Sequence, residues 1–263
     1  TNVDSVGIIT ARSGLISLAD STINSISIGK GANSVTNNTA FGLNALDASV
    51  TGDENTAIGK GALTDLTTGS SNTIVGSSCG DAITTGTDNT AVGHGALTAN
   101  TADANVAVGH RALEANTTGT QNTALGQRAG YQVTTGQYNS LHGWNAGGSI
   151  TTGSNNTALG NRALDASTTA SNNTAVGYSA LSSACDGNNT AVGGLALFNN
   201  TASSNTAVGY NAMYANTTGH DNVAVGARLG ELFLISTVLL LSWVYLNARA
   251  KQQLLIQISM IVV

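Results

Sequence analysis

The amino-acid sequence predicts an all-β chain, a parallel β-roll or β-solenoid of about 13 short coils of 16 to 17 residues, followed by an apolar C-terminal tail. Three observations carry that expectation. The phrase "NTAVG" recurs in near-copies, among them "NTAVGHGAL" from Asn89, "NTALGNRAL" from Asn156 and "NTAVGYNAM" from Asn205. The glycine closing each copy falls at Gly42, Gly59, Gly76, Gly93, Gly109, Gly126, Gly143, Gly160, Gly177, Gly193, Gly209 and Gly226, at intervals of 16 or 17. The 263 residues include 32 Gly and no Pro, where average usage would supply roughly a dozen prolines. A chain whose backbone N–H groups nearly all enter ladders has no place for a residue that lacks one.

The columns of the twelve regular copies define one coil. Its first residue is always Asn: Asn38, Asn55, Asn72, Asn89, Asn105, Asn122, Asn139, Asn156, Asn173, Asn189, Asn205 and Asn222. Thr follows in nine, with Val106, Ser140 and Val223 as exceptions; then come a mostly Ala column and a column of Val, Ile, Leu or Phe broken only by His142. Strand alternation puts Thr and the aliphatic residue on one side and Asn, Ala and Gly on the other. A helix is disfavoured, since each Gly would cost roughly 1 kcal/mol relative to Ala. In strands stacked about 4.8 Å apart, like residues lie over like, and the asparagines become a hydrogen-bonded structural ladder. The "xxAL" phrase after each Gly reads as a second short strand, around an interior wide enough for Ala and Gly. A degenerate copy, "SISIGKGA", with Gly29 13 residues before Gly42, supplies the thirteenth coil.

Composition narrows the function. The chain has 9 Lys and Arg against 14 Asp and Glu, with no basic stripe for a phosphate backbone, which argues against nucleic acid as a partner. Two cysteines make no disulfide framework: Cys79 replaces a small residue in an Ala column, and Cys185 lies in the turn "SSACDG". No paired carboxylates, Ser–His–Asp arrangement or phosphate loop stands out, so neither an enzyme nor a cofactor is expected. If the Thr and aliphatic side of the strands faced water, it would form an apolar stripe large enough to demand a partner. Three chains packing their stripes about one axis would bury it.

Recognition is expected in the two variable columns after the Gly. The first holds His94, His110, Trp144, Tyr178 and Tyr210, and the second Arg111, Arg128 and Arg162. Tyr, Trp and Arg dominate binding hot spots and suit a host-surface glycan or protein receptor; the competing reading is solvated decoration. His94 and His110 fall on adjacent coils and would stack, without the carboxylate or Cys that a metal site needs. His142 sits in the axis-facing column, where a trimer would gather three imidazoles, and it is the single candidate for a metal or anion.

The "NTAVG", "AL" and "TTG" pattern, in phase over about residues 25 to 230, resembles the head repeats of trimeric autotransporter adhesins (the YadA-like head), which also recur in tail fibres of bacteriophages and other viruses. The resemblance implies a left-handed, homotrimeric β-roll on an adhesive appendage, extracellular, at the cell surface or on a virion. This sequence departs from the family's commonest form in its longer repeat, and neither a heptad stalk nor a membrane β-barrel follows the repeats. A phage-type fibre or secreted filament is therefore expected rather than a self-anchoring autotransporter.

The pattern stops at Gly230, so the domain expectation is an N-terminal segment at 1–24, the repetitive roll at 25–230 and an apolar tail at 231–263. The 17 uncharged residues at 232–248, followed by Arg249 and Lys251, are the one stretch suited to a membrane, at the short end of a spanning helix. The alternating "LLIQISMIVV" that ends the tail suits a strand that caps the roll, packs about the trimer axis or adds to a neighbouring subunit. The abrupt loss of phase is also what a misassigned terminus produces. Three functions follow as expectations: an adhesive trimeric fibre, a subunit polymerising end to end through its tail, and an ice-binding solenoid using its Thr columns.

Overall fold

The computed structural model describes residues 21–23 and 26–230; the tail at 231–263, with the stretch at 232–248, lies outside the described residues, as does most of the N-terminal segment 1–24. Each "NTAVG" phrase contributes one strand of three or four residues. They run from β3 (Thr39–Gly42) and β4 (Thr56–Ile58) through β9 (Ser140–His142) to β14 (Val223–Val225), twelve strands in sequence order within one sheet. From β3 onward all neighbours are parallel, in a register that sets Thr157 against Thr174, Ala158 against Ala175 and Leu159 against Val176. The fold is a parallel β-solenoid of about eleven turns, about 50 Å long at the usual strand spacing. Among the described residues no helix is long and apolar enough to cross a membrane.

Three expectations are corrected. The degenerate first copy is not a thirteenth coil. Strands β1 (Ser21–Ile23) and β2 (Ile26–Gly29) pair antiparallel, and β2 runs antiparallel to β3 with Ile28 opposite Phe41. Thirteen residues between Gly29 and Gly42 fall short of a circuit that would re-enter in the same direction, so the chain reverses. The hairpin then covers a sheet edge that would otherwise present unpaired N–H and C=O groups.

The second correction concerns "xxAL", which forms turns and no strand. The Leu of this phrase has left-handed backbone geometry in coil after coil, as at Leu46 (φ 51°), Leu97 (φ 51°), Leu164 (φ 54°) and Leu197 (φ 52°). Such a conformation costs a residue bearing a Cβ about 1–2 kcal/mol, and the stack offsets that cost. The amide of Leu97 donates to the Ala112 carbonyl of the next coil at 3.1 Å, and Leu113 to Ala129 at 3.0 Å, so a coil-to-coil ladder persists without a strand.

Third, the interior holds more than Ala and Gly. Leu46, Leu63, Leu97, Leu113, Leu164, Leu181 and Leu197 are fully buried beside the Ala columns. Where the Leu column turns to Gly, the missing volume comes from neighbouring columns. A Cβ on Gly130 would meet Leu113 Cδ2 at 2.8 Å and Leu141 Cδ1 at 2.9 Å, and one on Gly80 would meet Ile83 Cδ1 at 2.9 Å. Leu141 and Ile74 stand in the strand position that is Ala in most coils. Close packing holds because large and small residues exchange places.

The asparagine ladder runs through all twelve coils, and in five of its eleven rungs amide bonds to amide, as Asn72 Nδ2 does to Asn55 Oδ1 and Asn139 Nδ2 to Asn122 Oδ1, both at 3.0 Å. Each backbone N–H donates to the side-chain oxygen of the preceding Asn, from Asn55 on Asn38 Oδ1 at 2.8 Å to Asn222 on Asn205 Oδ1 at 3.1 Å. In most coils the Nδ2 group also closes its own coil, as Asn122 Nδ2 does on the Gly136 carbonyl at 2.8 Å. Asn173 Nδ2 is the exception and has no partner, because its coil ends in "SSACDG" rather than "TTG". The Asn122→Ala variant strands a buried N–H on Asn139 and the Gly136 carbonyl together. A loss of roughly 2 kcal/mol or more is expected, read as a lower denaturation midpoint; an unchanged midpoint would mean that the ladder is ornamental.

Two further asparagine pairs, missed in the sequence, lie inside the coil. Asn116 Nδ2 donates to Asn100 Oδ1 at 2.6 Å and Asn216 Nδ2 to Asn200 Oδ1 at 2.8 Å. They occupy a column that elsewhere is Leu66, Ile83, Val133 or Ile150, and each pair sits on adjacent coils, where one amide bonds the other and the Asn100 and Asn200 Nδ2 groups close on the Ala102 and Ala202 carbonyls, leaving Asn116 Oδ1 without a partner. That pairing in an otherwise apolar column was the available signal.

Both cysteines are free and buried. Burial pushes the Cys79 thiol up to about 12 and the Cys185 thiol up to about 11 from an ordinary 9.0. Neither is expected to react with a thiol reagent at pH 8 until the chain unfolds. Stability held by these neutral thiols is complete below the unfolded value of 9.0 and is lost as pH rises from there through the folded values. Rapid labelling of the folded chain would contradict the burial.

Candidate recognition surface

The turn that follows each strand projects three columns outward. The first begins immediately after the Gly, where backbone direction changes, and His94, His110, Trp144, Tyr178 and Tyr210 are all exposed there. The trio Trp144, Tyr178 and Tyr210 is 44 to 58 per cent exposed. His94 and His110 stack with ring centroids 5.4 Å apart, as their adjacent-coil positions predict.

The second column has positive φ throughout much of its length, at Arg111 (59°), Arg128 (59°) and Arg162 (57°), which tips these side chains towards a third column three residues on. Arg111 pairs with Glu114 and donates through Nη2 to the Tyr131 hydroxyl at 2.8 Å. Arg162 pairs with the buried Asp165 at 2.7 Å. Tyr131 takes the carboxylate's place in the coil of Arg128, and the guanidinium lies over its ring, 4.4 Å from the centroid. Arg128 Nε finds no acceptor, and no described carboxylate pairs with this arginine. Sequence reasoning placed these arginines among the exposed variable residues, whereas Arg111 and Arg128 are half-buried. It also missed the third column, where Phe198 and Tyr214 stack at 5.2 Å.

The sheet face carries the other candidate surface. Phe41, Ile58, Val92, Val108, Leu125 and Leu159 form a line 37 to 50 per cent exposed, and Val75, Val176, Val192 and Val208 in the same line are half-buried. The strand Thr column runs beside it. His142 interrupts the aliphatic line between Leu125 and Leu159, and its Nε2 is covered by the chain itself with no hydrogen-bond partner. The imidazole tip therefore faces protein. Among the described residues, no three His, Cys, Asp or Glu side chains of one chain gather as a metal-binding group. The Thr of "TTG" forms its own ladder, with Thr117 Oγ1 on the Thr134 carbonyl at 3.0 Å and Thr134 Oγ1 on that of Thr151 at 3.1 Å.

No protein-family model, curated protein or solved structure matches the chain.

Proposed function

We propose that the chain is a structural and adhesive element of an extracellular or virion fibre, three copies packing left-handed rolls along the aliphatic line and presenting the turn columns outward. One observation carries this reading: an aliphatic and aromatic line on a sheet face, broken over twelve successive strands only by His142, with seven of its members exposed and four half-buried in the single chain. Isolated proteins rarely leave so long a contiguous apolar patch in water. Three copies of a solenoid repeat bury it under closed cyclic symmetry, which stops growth at a defined size. The reading assigns the protein no chemistry.

The test is the mass of the purified full chain in solution, by light scattering, beside a form lacking 231–263. Three chains in both forms are expected. Monomers at micromolar concentration in both would remove the trimer and leave the line needing another partner.

End-to-end polymerisation has one observation of its own. Strand β14 is the last of the described sheet, with Val223 71 per cent and Val225 64 per cent exposed, whereas the antiparallel hairpin covers the opposite edge. Filaments that form only when 231–263 is present would favour it. The ice-binding alternative has the weaker support: the "TTG" hydroxyls are committed to carbonyls and the strand Thr shares its face with aliphatics. Thermal hysteresis in a dilute solution would revive it.

A further inference from the structure

The two variable columns carry a period of their own. Counting coils upward from Arg128, successive coils contribute Arg128, Trp144, Arg162 and Tyr178; after one coil with Gly194 come Tyr210 and Arg228. Cation and aromatic thus alternate from coil to coil, with the cation missing at Gly194 and Leu195. The three aromatics are two coils apart, as are Arg128 and Arg162, and two coils are about 10 Å of rod. The intervening first-column residues, Asn161 and Gly194, are not aromatic.

From this alternation we propose that the stripe from Arg128 to Arg228 binds a linear acidic polysaccharide lying along the rod, with one acid group per disaccharide. This rests on the attachment reading given above and assigns its ligand. In an extended polysaccharide every second sugar presents the same face, so a two-coil step of exposed rings offers a platform to alternate sugars. Aromatic faces stack on flat, weakly polar surfaces while remaining hydrated at their edges. The arginines fall on the coils between, where the acid groups of the other sugars lie. Arg128 is the best prepared of them: its guanidinium is held flat on Tyr131 and no described carboxylate neutralises it, while its buried Nε is turned into the protein and leaves the Nη groups to meet a ligand. An arginine so placed gains a charge-assisted hydrogen bond from a sugar carboxylate without first breaking an ion pair. The stripe holds three of the chain's 9 Lys and Arg, Arg128, Arg162 and Arg228, and the aromatics separate a sugar chain from polyanions in general.

The experiment is calorimetric titration of the full chain with hyaluronan oligosaccharides, which carry one carboxylate per disaccharide. A neutral chito-oligosaccharide of equal length and polyglutamate serve as comparators. Binding to hyaluronan is expected, at least about tenfold tighter than to either comparator. The triple variant Trp144→Ala, Tyr178→Ala, Tyr210→Ala is expected to lose at least about tenfold, as hot-spot aromatics do. The pair Arg128→Gln, Arg162→Gln should bind more weakly and with a shallower salt dependence. The aromatic side chains are exposed, so the triple variant should melt with the parent; a lowered melt is answered by substituting Tyr210 alone. Polyglutamate binding as tightly as hyaluronan, or an unaffected triple variant, overturns the assignment. If the parent chain adheres to cell surfaces and the triple variant adheres equally, attachment survives and this ligand does not. If the parent neither adheres nor binds any of the three probes, both readings fall.

Discussion

Gly126→Ala is expected to lower the thermal midpoint by roughly 10 °C or more, while Gly194→Ala leaves it nearly unchanged. Both glycines lie on the turn side of a coil, and composition alone does not distinguish them. Gly126 has φ 136°, and a Cβ there would sit 2.6 Å from the Gly143 carbonyl oxygen and 2.7 Å from its carbon. The obstacle is backbone of the next coil, which moves only if the two coils part. Strain at that φ and overpacking together cost roughly 3–5 kcal/mol, and a domain of this size shifts by about 2–4 °C per kcal/mol. The same closeness recurs along the column: at Gly93 against Gly109, at Gly143 against Gly160 and at Gly193 against Gly209, the carbonyl oxygen would be 2.5 or 2.6 Å away. Gly194 has no such φ, and its Cβ would meet the Tyr210 ring at an ordinary 3.5 Å. Circular dichroism melts of the two variants decide the matter. Equal midpoints would mean that the coils are less closely stacked than these distances require. Because each coil touches only its neighbours, a break at Gly126 should divide the rod into two independently melting parts.

The strands and their parallel order were legible because Asn, Ala and Gly recur in phase, and stacking is what repetition of that kind requires. The path between strands was misread because period-2 reasoning assumes extended backbone. The corrective signal was present in two columns. The Leu column contains Gly80, Gly130 and Gly147, and the second variable column contains Gly61 and Gly95 beside Asn145 and Asn211. Gly and Asn exchanging with larger residues is the mark of a left-handed position, and all of these residues have positive φ. The ladder residues and their amide-to-amide bonds were identifiable, but not their bonds to the backbone: that the Asn122 oxygen also takes the Asn139 N–H and its nitrogen meets the Gly136 carbonyl depends on where the turn returns, which only the folded coil determines. Of the recognition residues, the first column was found from its free variation. The pairing of Arg111 with Glu114 and of Arg162 with Asp165 follows from a three-residue separation across a left-handed corner, and spacing alone would not assign it.

The largest effect on assembly is expected from charging the aliphatic line. Val92→Asp, Leu125→Asp and Leu159→Asp, introduced together, should leave the coil intact and convert the proposed trimer to monomers. Each wild-type side chain is 38 to 50 per cent exposed in the single chain, so substitution opens no cavity. The three sites lie on alternate coils, about 10 Å apart at the strand spacing and near the screening length at ordinary salt, which keeps repulsion within one chain small. Around a common axis the same change would set nine carboxylates in an apolar seam. Desolvation costs several kcal/mol per buried ion, and no described Lys or Arg stands in that line to offset it. Light scattering of the variant beside the parent, with circular dichroism to show retained strand content, gives the answer. A monomer with the parent's spectrum supports packing through this line. A variant of unchanged mass would show that the copies meet through another face, and the exposed aliphatics would then belong to a different partner.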